Sequence, residues 1–279
     1  MKLKTLLISA ALVIAGVGSA KAVVTTTLVD GVQTITATDN FNRPTSVYQT
    51  ATENLTAVGA EYTVVTSGSM LISGSCLGTP NAPATTPFLA YRNDLQTLST
   101  GGNSFTLSSD ITVVNGGTRY AGLIWNLNAG ATGTELDSYY TLRMATTTDN
   151  GGSSHFSILK VSDGVVENTI SLDLELGGAI LNVARAYTMS VWTVQGASNE
   201  FHYSLSGSTG LVSTGVYSDS TYVDGYSGFY VNNTKAGNKF DNYSLSVVTV
   251  PEPSTIALAV LGTAGILCLR KRARLRRTA

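Results

Sequence analysis

From residue 34 to residue 248 the chain repeats one pattern. Short runs alternate apolar and polar residues and are broken by clusters of Gly, Asn, Asp and Ser. Successive side chains of a strand point to opposite faces, so a period of two predicts half-buried strands joined by tight turns. Strands are expected over 34–38, 61–66, 69–73, 104–114, 119–127, 139–146, 155–162, 165–174, 186–195, 199–205, 228–232 and 240–248. Pro80, Pro83 and Pro87 mark a loop, and Asp149-Asn150-Gly151-Gly152 is a hairpin turn signal. About a dozen strands without a helical pattern predict an all-β fold, an antiparallel β-sandwich or jelly roll.

The two ends of the chain are unlike this body. Residues 1–22 have a basic start (Lys2, Lys4), an apolar run over 6–17 and the small-residue pattern Ala20-Lys21-Ala22. That is the layout of a secretory signal helix cut after Ala22, which assigns the chain to the Sec export machinery. At the other end, Pro251 and Pro253 bracket Glu252 and prevent a helix from running through them. Ser254 or Thr255 can cap a helix there, and 256–269 carries no charge. Such a helix is about 21 Å long, against a hydrocarbon core of about 30 Å. The basic residues Arg270, Lys271, Arg272, Arg274, Arg276 and Arg277 follow at once. A basic flank places the C-terminus in the cytoplasm and the body outside. The expected organisation is therefore a signal peptide (1–22), a sandwich domain (23–249), and a terminal segment (250–279) with a single membrane helix (254–269) and a basic tail (270–279).

Val250-Pro251-Glu252-Pro253-Ser254, a short apolar helix and an Arg-rich end together resemble the PEP-CTERM sorting signal of Gram-negative, often biofilm-forming, bacteria. The resemblance implies export, a transient stop in the inner membrane and processing by exosortase, a membrane cysteine transpeptidase. The body has a second resemblance, to concanavalin-like (laminin-G-like) sandwiches. It is carried by Asp39-Asn40-Phe41-Asn42-Arg43, by Tyr120-Ala121-Gly122-Leu123-Ile124-Trp125, and by 224–230 with Phe240-Asp241-Asn242-Tyr243. That family brings its terminal strands together and often ties them with calcium, which singles out Asp39 and Asp241. The competing reading of each Asp is an Asx-turn.

Removing the transport segments changes the charge. Of 17 basic residues, three lie in the leader and six in the tail. The eight that remain face 17 acidic residues, so the exported body is near −9. An acidic body argues against nucleic acid and against anionic membrane surfaces as partners. Cys76 is the one cysteine of the body, so no intramolecular disulfide forms there. His155 and His202 are the only histidines, and no zinc-spaced cluster exists.

Three features bear on chemistry. Asp173 and Glu175 stand two apart, on one face of an expected strand. Concanavalin-like glycosidases carry Glu-x-Asp-x-x-Glu on such a strand, but here Gly178 replaces the last carboxylate. A solvated strand face is the competing reading. His202 alternates with Phe201 and Tyr203 and is expected to point outward from a hairpin whose aromatics point in. Trp125 alternates with Ala121, Leu123 and Leu127 and reads as core. Trp192 alternates with Thr188, Ser190 and Val194, a polar face and a candidate platform for extracellular polysaccharide, with simple packing as the competing reading. The expected function is a non-enzymatic surface or matrix protein, with a secreted glycan-acting hydrolase as the alternative.

Overall fold

The computed structural model describes residues 23–29, 32–42, 46–48, 62–64, 69–73, 76–81, 88–113, 120–128, 138–146, 154–173, 176, 180–232 and 238–250. The sorting motif Pro251, Glu252 and Pro253, the helix 254–269, the flanking Arg270, Lys271 and Arg272, and the cleavage residues Ala20 and Ala22 lie outside them. Among the described residues no helix is long and apolar enough to cross a membrane.

The described residues form strands β1 (Val23–Val29), β2 (Val32–Asp39), β3 (Ser46–Tyr48), β4 (Tyr62–Val64), β5 (Ser69–Ser73) and β6 (Cys76–Asn81). Then come β7 (Phe88–Thr97), β8 (Ser104–Thr112), β9 (Tyr120–Asn128), β10 (Ser138–Ala145), β11 (His155–Ser162) and β12 (Val165–Ser171). The last are β13 (Ala186–Val194), β14 (Ala197–Gly207), β15 (Gly210–Ser218), β16 (Gly225–Asn232) and β17 (Lys239–Thr249). Every pairing is antiparallel.

These strands make two sheets. A ten-stranded sheet runs β15-β14-β13-β8-β17-β6-β5-β3, with β2 also on β17 and β1 on β2. A seven-stranded sheet runs β12-β11-β10-β9-β16-β7-β4. The expected sandwich is therefore present, with its terminal strands together: β2 lies on β17, Asp39 opposite Tyr243.

The large core lies between the sheets. From the ten-stranded sheet it takes Leu107, Ile111, Met189, Val191, Phe201 and Leu245; from the other it takes Leu123, Trp125, Leu142, Ile158 and Phe229. Alternation explains the first set. In β8, Phe105, Leu107 and Ile111 are buried, while Thr106, Ser108 and Asp110 face outward. The seven-stranded sheet differs, because β9, β10, β11 and β16 are buried on both faces. Its outer face carries a second cluster of Leu89, Ile124, Leu127, Tyr139, Leu159 and Tyr230. A strand covered on both sides needs no polar alternation, and these strands read as nearly continuous apolar runs.

Two expectations need correcting, and five strands add to those expected. β12 ends at Ser171, so Asp173 stands in a turn and not on a strand. Leu127 does not share the Trp125 face. Asn126 has a φ of 51° and sits where the register shifts, so the bulge moves Leu127 to the outer cluster. β1, β3, β6, β7 and β15 were not expected. β8 and β9, neighbours in sequence, belong to different sheets.

Candidate functional site

Trp192 stands on the outer face of the ten-stranded sheet. The neighbouring Val191 and Thr193 are buried, so alternation along β13 sends Trp192 outward with Ser190. Across the β13–β14 ladder its partner is His202, which points outward between the buried Phe201 and Tyr203. The two rings lie nearly parallel, with centroids 5.4 Å apart and planes 17° from each other. On the other side Trp192 is opposite Thr106 of β8, an exposed and small side chain. The imidazole thus covers one face of the indole, and a short hydroxyl residue flanks the other. Ser190, Ser204 and Ser108 continue the hydroxyl lining along the adjacent row of the same face. A flat apolar ring held in place and rimmed by hydroxyls suits a ligand with both an apolar face and hydroxyl groups.

The acidic residues are placed differently from one another. Asp173 Oδ1 accepts the Phe156 N–H at 2.7 Å, and Oδ2 faces His155 Nδ1 at 3.0 Å. Burial acts to raise its carboxyl, but the Phe156 N–H and His155 outweigh burial and lower it. Glycoside hydrolysis needs a carboxyl raised enough to donate a proton, and Asp173 is shifted the other way. Glu175 lies outside the described residues.

Asp39 is buried, and its Oδ1 accepts the Phe41 N–H at 2.8 Å, which is an Asx-turn. Asp241 Oδ1 accepts the Asn242 N–H at 2.7 Å. Asp241 also stands directly opposite Asp110 of β8. Its carboxyl is raised by burial, then by the charges of Asp110 and Asp39. The end of the β2–β17–β8 ladder therefore gathers three carboxylates that repel. Among the described residues no group of three His, Cys, Asp or Glu side chains is arranged to hold a metal ion. Cys76, at the start of β6, is a free thiol raised by burial and by Asp241.

Residues on the outer face of the seven-stranded sheet escaped the sequence reading. Arg143 points outward from β10 between the buried Leu142 and Met144. Its guanidinium carbon lies 3.8 Å from the centroid of the Tyr120 ring. Its Nε donates to Ser157 Oγ at 3.0 Å and its Nη1 to Tyr230 Oη at 3.3 Å. The available signal was one charge inside an otherwise uncharged strand, Tyr139-Tyr140-Thr141-Leu142-Arg143-Met144-Ala145.

Two antiparallel sheets enclosing one core make the body a β-sandwich. Residues 249–273 match the PEP-CTERM protein-sorting motif, so the chain carries that signal at its C-terminal end, as the residues there predict. The signal marks the chain for export. No curated protein matches the chain. Among solved structures, the carbohydrate-binding module CBM66 from Bacillus subtilis is similar at 17% identity over 66% of this chain and 94% of its own, with a TM-score of 0.45. A seed lectin from Lotus tetragonolobus is similar at 12% identity over 75% of this chain and 100% of its own, with a TM-score of 0.46. A legume lectin-like domain from Entamoeba histolytica is similar at 11% identity over 68% and 91%, with a TM-score of 0.43.

Proposed function

We propose that this chain is a non-enzymatic cell-surface or matrix protein that binds polysaccharide on the outer face of its ten-stranded sheet, at Trp192. The observation that supports it most is the Trp192–His202 stack, an outward aromatic pair beside Thr106, Ser108, Ser190 and Ser204, with the exposed Val216 opposite His202. Sequence periodicity alone puts Trp192 on that face, and the ladder supplies its partner.

The delivery route follows from the two ends. The Sec machinery exports the precursor, and the leader is cut after Ala22. The helix 254–269 halts in the inner membrane with Arg270, Lys271 and Arg272 in the cytoplasm. Exosortase then processes the chain at Pro251-Glu252-Pro253. A calcium ion between Asp39 and Asp241 belongs to the same reading: a divalent cation would offset the charges of Asp110 and Asp39, which after burial raise the Asp241 carboxyl.

Non-enzymatic binding is preferred to hydrolysis because Gly178 stands where the last carboxylate of Glu-x-Asp-x-x-Glu would fall, and Asp173 is held by Phe156 and His155. The test is affinity electrophoresis of the full chain through gels containing neutral glucans or galactans. Retarded migration that is lost in Trp192→Ala, with an unchanged circular dichroism spectrum, is the expected result. Equal retardation of the two proteins would remove Trp192 from the reading.

A further inference from the structure

Arg143 has no carboxylate partner among the described residues. The guanidinium is nevertheless held on several sides. Tyr120 stacks on it, Ser157 takes Nε, and Tyr230, itself 1% exposed, takes one N–H of Nη1.

The ladder explains the reach. Arg143 of β10 lies opposite Gly122 of β9, and Gly122 lies opposite Tyr230 of β16. With no side chain between them, the guanidinium can extend over β9 to the tyrosine hydroxyl. A Cβ at Gly122 would come within 2.7 Å of the Arg143 Cα.

An arginine has five N–H donors, and the contacts above use two. The remaining donors include both N–H groups of Nη2 and one of Nη1, the pair that meets a carboxylate through two parallel bonds. A cation set beside an apolar cluster, with no carboxylate partner among the described residues, is itself stabilised by an anion. Two residues along the same face of β10, Thr141 is fully buried and its Oγ1 has no hydrogen-bond partner. Tyr91 and Tyr226 form an aromatic pair on this face, with centroids 4.8 Å apart.

We infer that Arg143, held by Tyr120, Ser157 and Tyr230, forms a binding site for the carboxylate of an acidic sugar unit, so that the sandwich takes uronic-acid polysaccharide on the face opposite Trp192. The part-exposed pair Tyr91 and Tyr226 favours a saccharide over an acidic peptide, because it offers rings against which sugar units lie flat. The negative charge of the body repels polyanions in general, so binding here depends on the local fork of donors and not on the overall field. The site does not depend on the Trp192 reading.

The test is calorimetry on the full chain in a polyoxyethylene detergent, with trigalacturonate as probe. Galactotriose and a glutamate peptide of equal charge are the controls. Trigalacturonate is expected to bind, and galactotriose and the peptide at least about tenfold more weakly. Arg143→Lys keeps the charge but loses the planar fork, and should weaken binding at least about tenfold; Arg143→Gln should abolish it. Trp192→Ala should leave it unchanged. Thermal melts report whether each variant folds, and should Arg143→Gln fail to, Arg143→Lys alone decides. Absence of trigalacturonate binding to the unmodified chain overturns the proposal. So does equal affinity in Arg143→Lys, equal binding of galactotriose or the peptide, or loss of binding only in Trp192→Ala.

Discussion

The Tyr140 hydroxyl donates to Asp219 Oδ1 at 2.6 Å, tying β10 of the seven-stranded sheet to the turn that follows β15 of the other. Tyr217 donates to Oδ2 at 3.0 Å, the Thr221 N–H to Oδ1 at 2.7 Å, and Lys160 Nζ lies 3.5 Å from Oδ2. Burial would raise the Asp219 carboxyl. The donors, Tyr140 and Thr221 foremost, outweigh burial and hold it far below the usual carboxylate range. Burial and the Asp219 charge push the Tyr140 and Tyr217 phenols well above theirs. One carboxylate thus fastens the two sheets at their margin.

This clasp has a pH signature. A depressed carboxyl contributes stability above its unfolded value, near pH 4, and that contribution is lost as the pH falls further. A raised phenol contributes stability that is complete below about pH 10 and lost at higher pH. Asp219→Asn is expected to cost about 2 kcal/mol at neutral pH, the scale of hydrogen bonds to a charged group. It should also flatten the acid limb of stability. Urea denaturation across pH measures both, and an acid limb equal to that of the unmodified protein would refute the assignment.

The two tryptophans should respond oppositely to truncation. Trp125 is fully buried, stacked on Tyr140 at 5.5 Å. Trp125→Ala is expected to cost about 3–5 kcal/mol. Trp192 is half-buried on an outer face, and Trp192→Ala should cost about 1 kcal/mol or less. Urea midpoints compare them directly. A large loss in Trp192→Ala would make that residue a packing element.

Calcium is tested where carboxylates meet. Like charges directly opposite on adjacent strands destabilise by about 0.2–1 kcal/mol. The Asp241 carboxyl is raised, so the pair costs stability as the pH rises above the usual aspartate value. In chelator, Asp241→Asn should melt slightly higher than the unmodified protein. Calcium should raise the melting temperature of the unmodified protein but not of Asp241→Asn. No response of the unmodified protein to calcium would remove the ion from this site.

Processing leaves a mass signature. In a host with exosortase, the mature surface protein should begin at Val23 and lack Arg277. Without that enzyme, the body should stay tethered to the inner membrane, facing outward. Mass spectrometry of the surface fraction decides, and recovery of a peptide containing Arg277 would contradict the assignment.

Much of this molecule is legible one strand at a time. The alternation that buries Phe201 and Tyr203 turns His202 outward, and the same rule separates Trp125 from Trp192. Asp163-Gly164 turns β11 into β12 with φ values of 47° and 75°, as a tight hairpin requires. Asp30-Gly31 offered the same signal between β1 and β2, which pair on either side of it, but the strand before it was not expected. β7 was missed because Arg92-Asn93-Asp94 breaks its alternation, yet Arg92 is buried, 5.6 Å from the Tyr62 and Tyr243 rings.

By itself the sequence determined the class of fold, the side of the strand on which each tryptophan lies and the sorting signal at the C-terminal end. Each of these depends on neighbours a few residues apart. Tertiary structure decided that β8 and β9 part into different sheets, that a bulge at Asn126 carries Leu127 across its sheet, and that Asp173 meets His155. It also set Arg143 between Tyr120 and Tyr230, the latter 87 residues away. Periodicity records which face of a strand is buried, but not which strand lies beside it. Pairing is chosen by closing long loops around one shared core, and only the folded sheets bring Arg143 and its partners together.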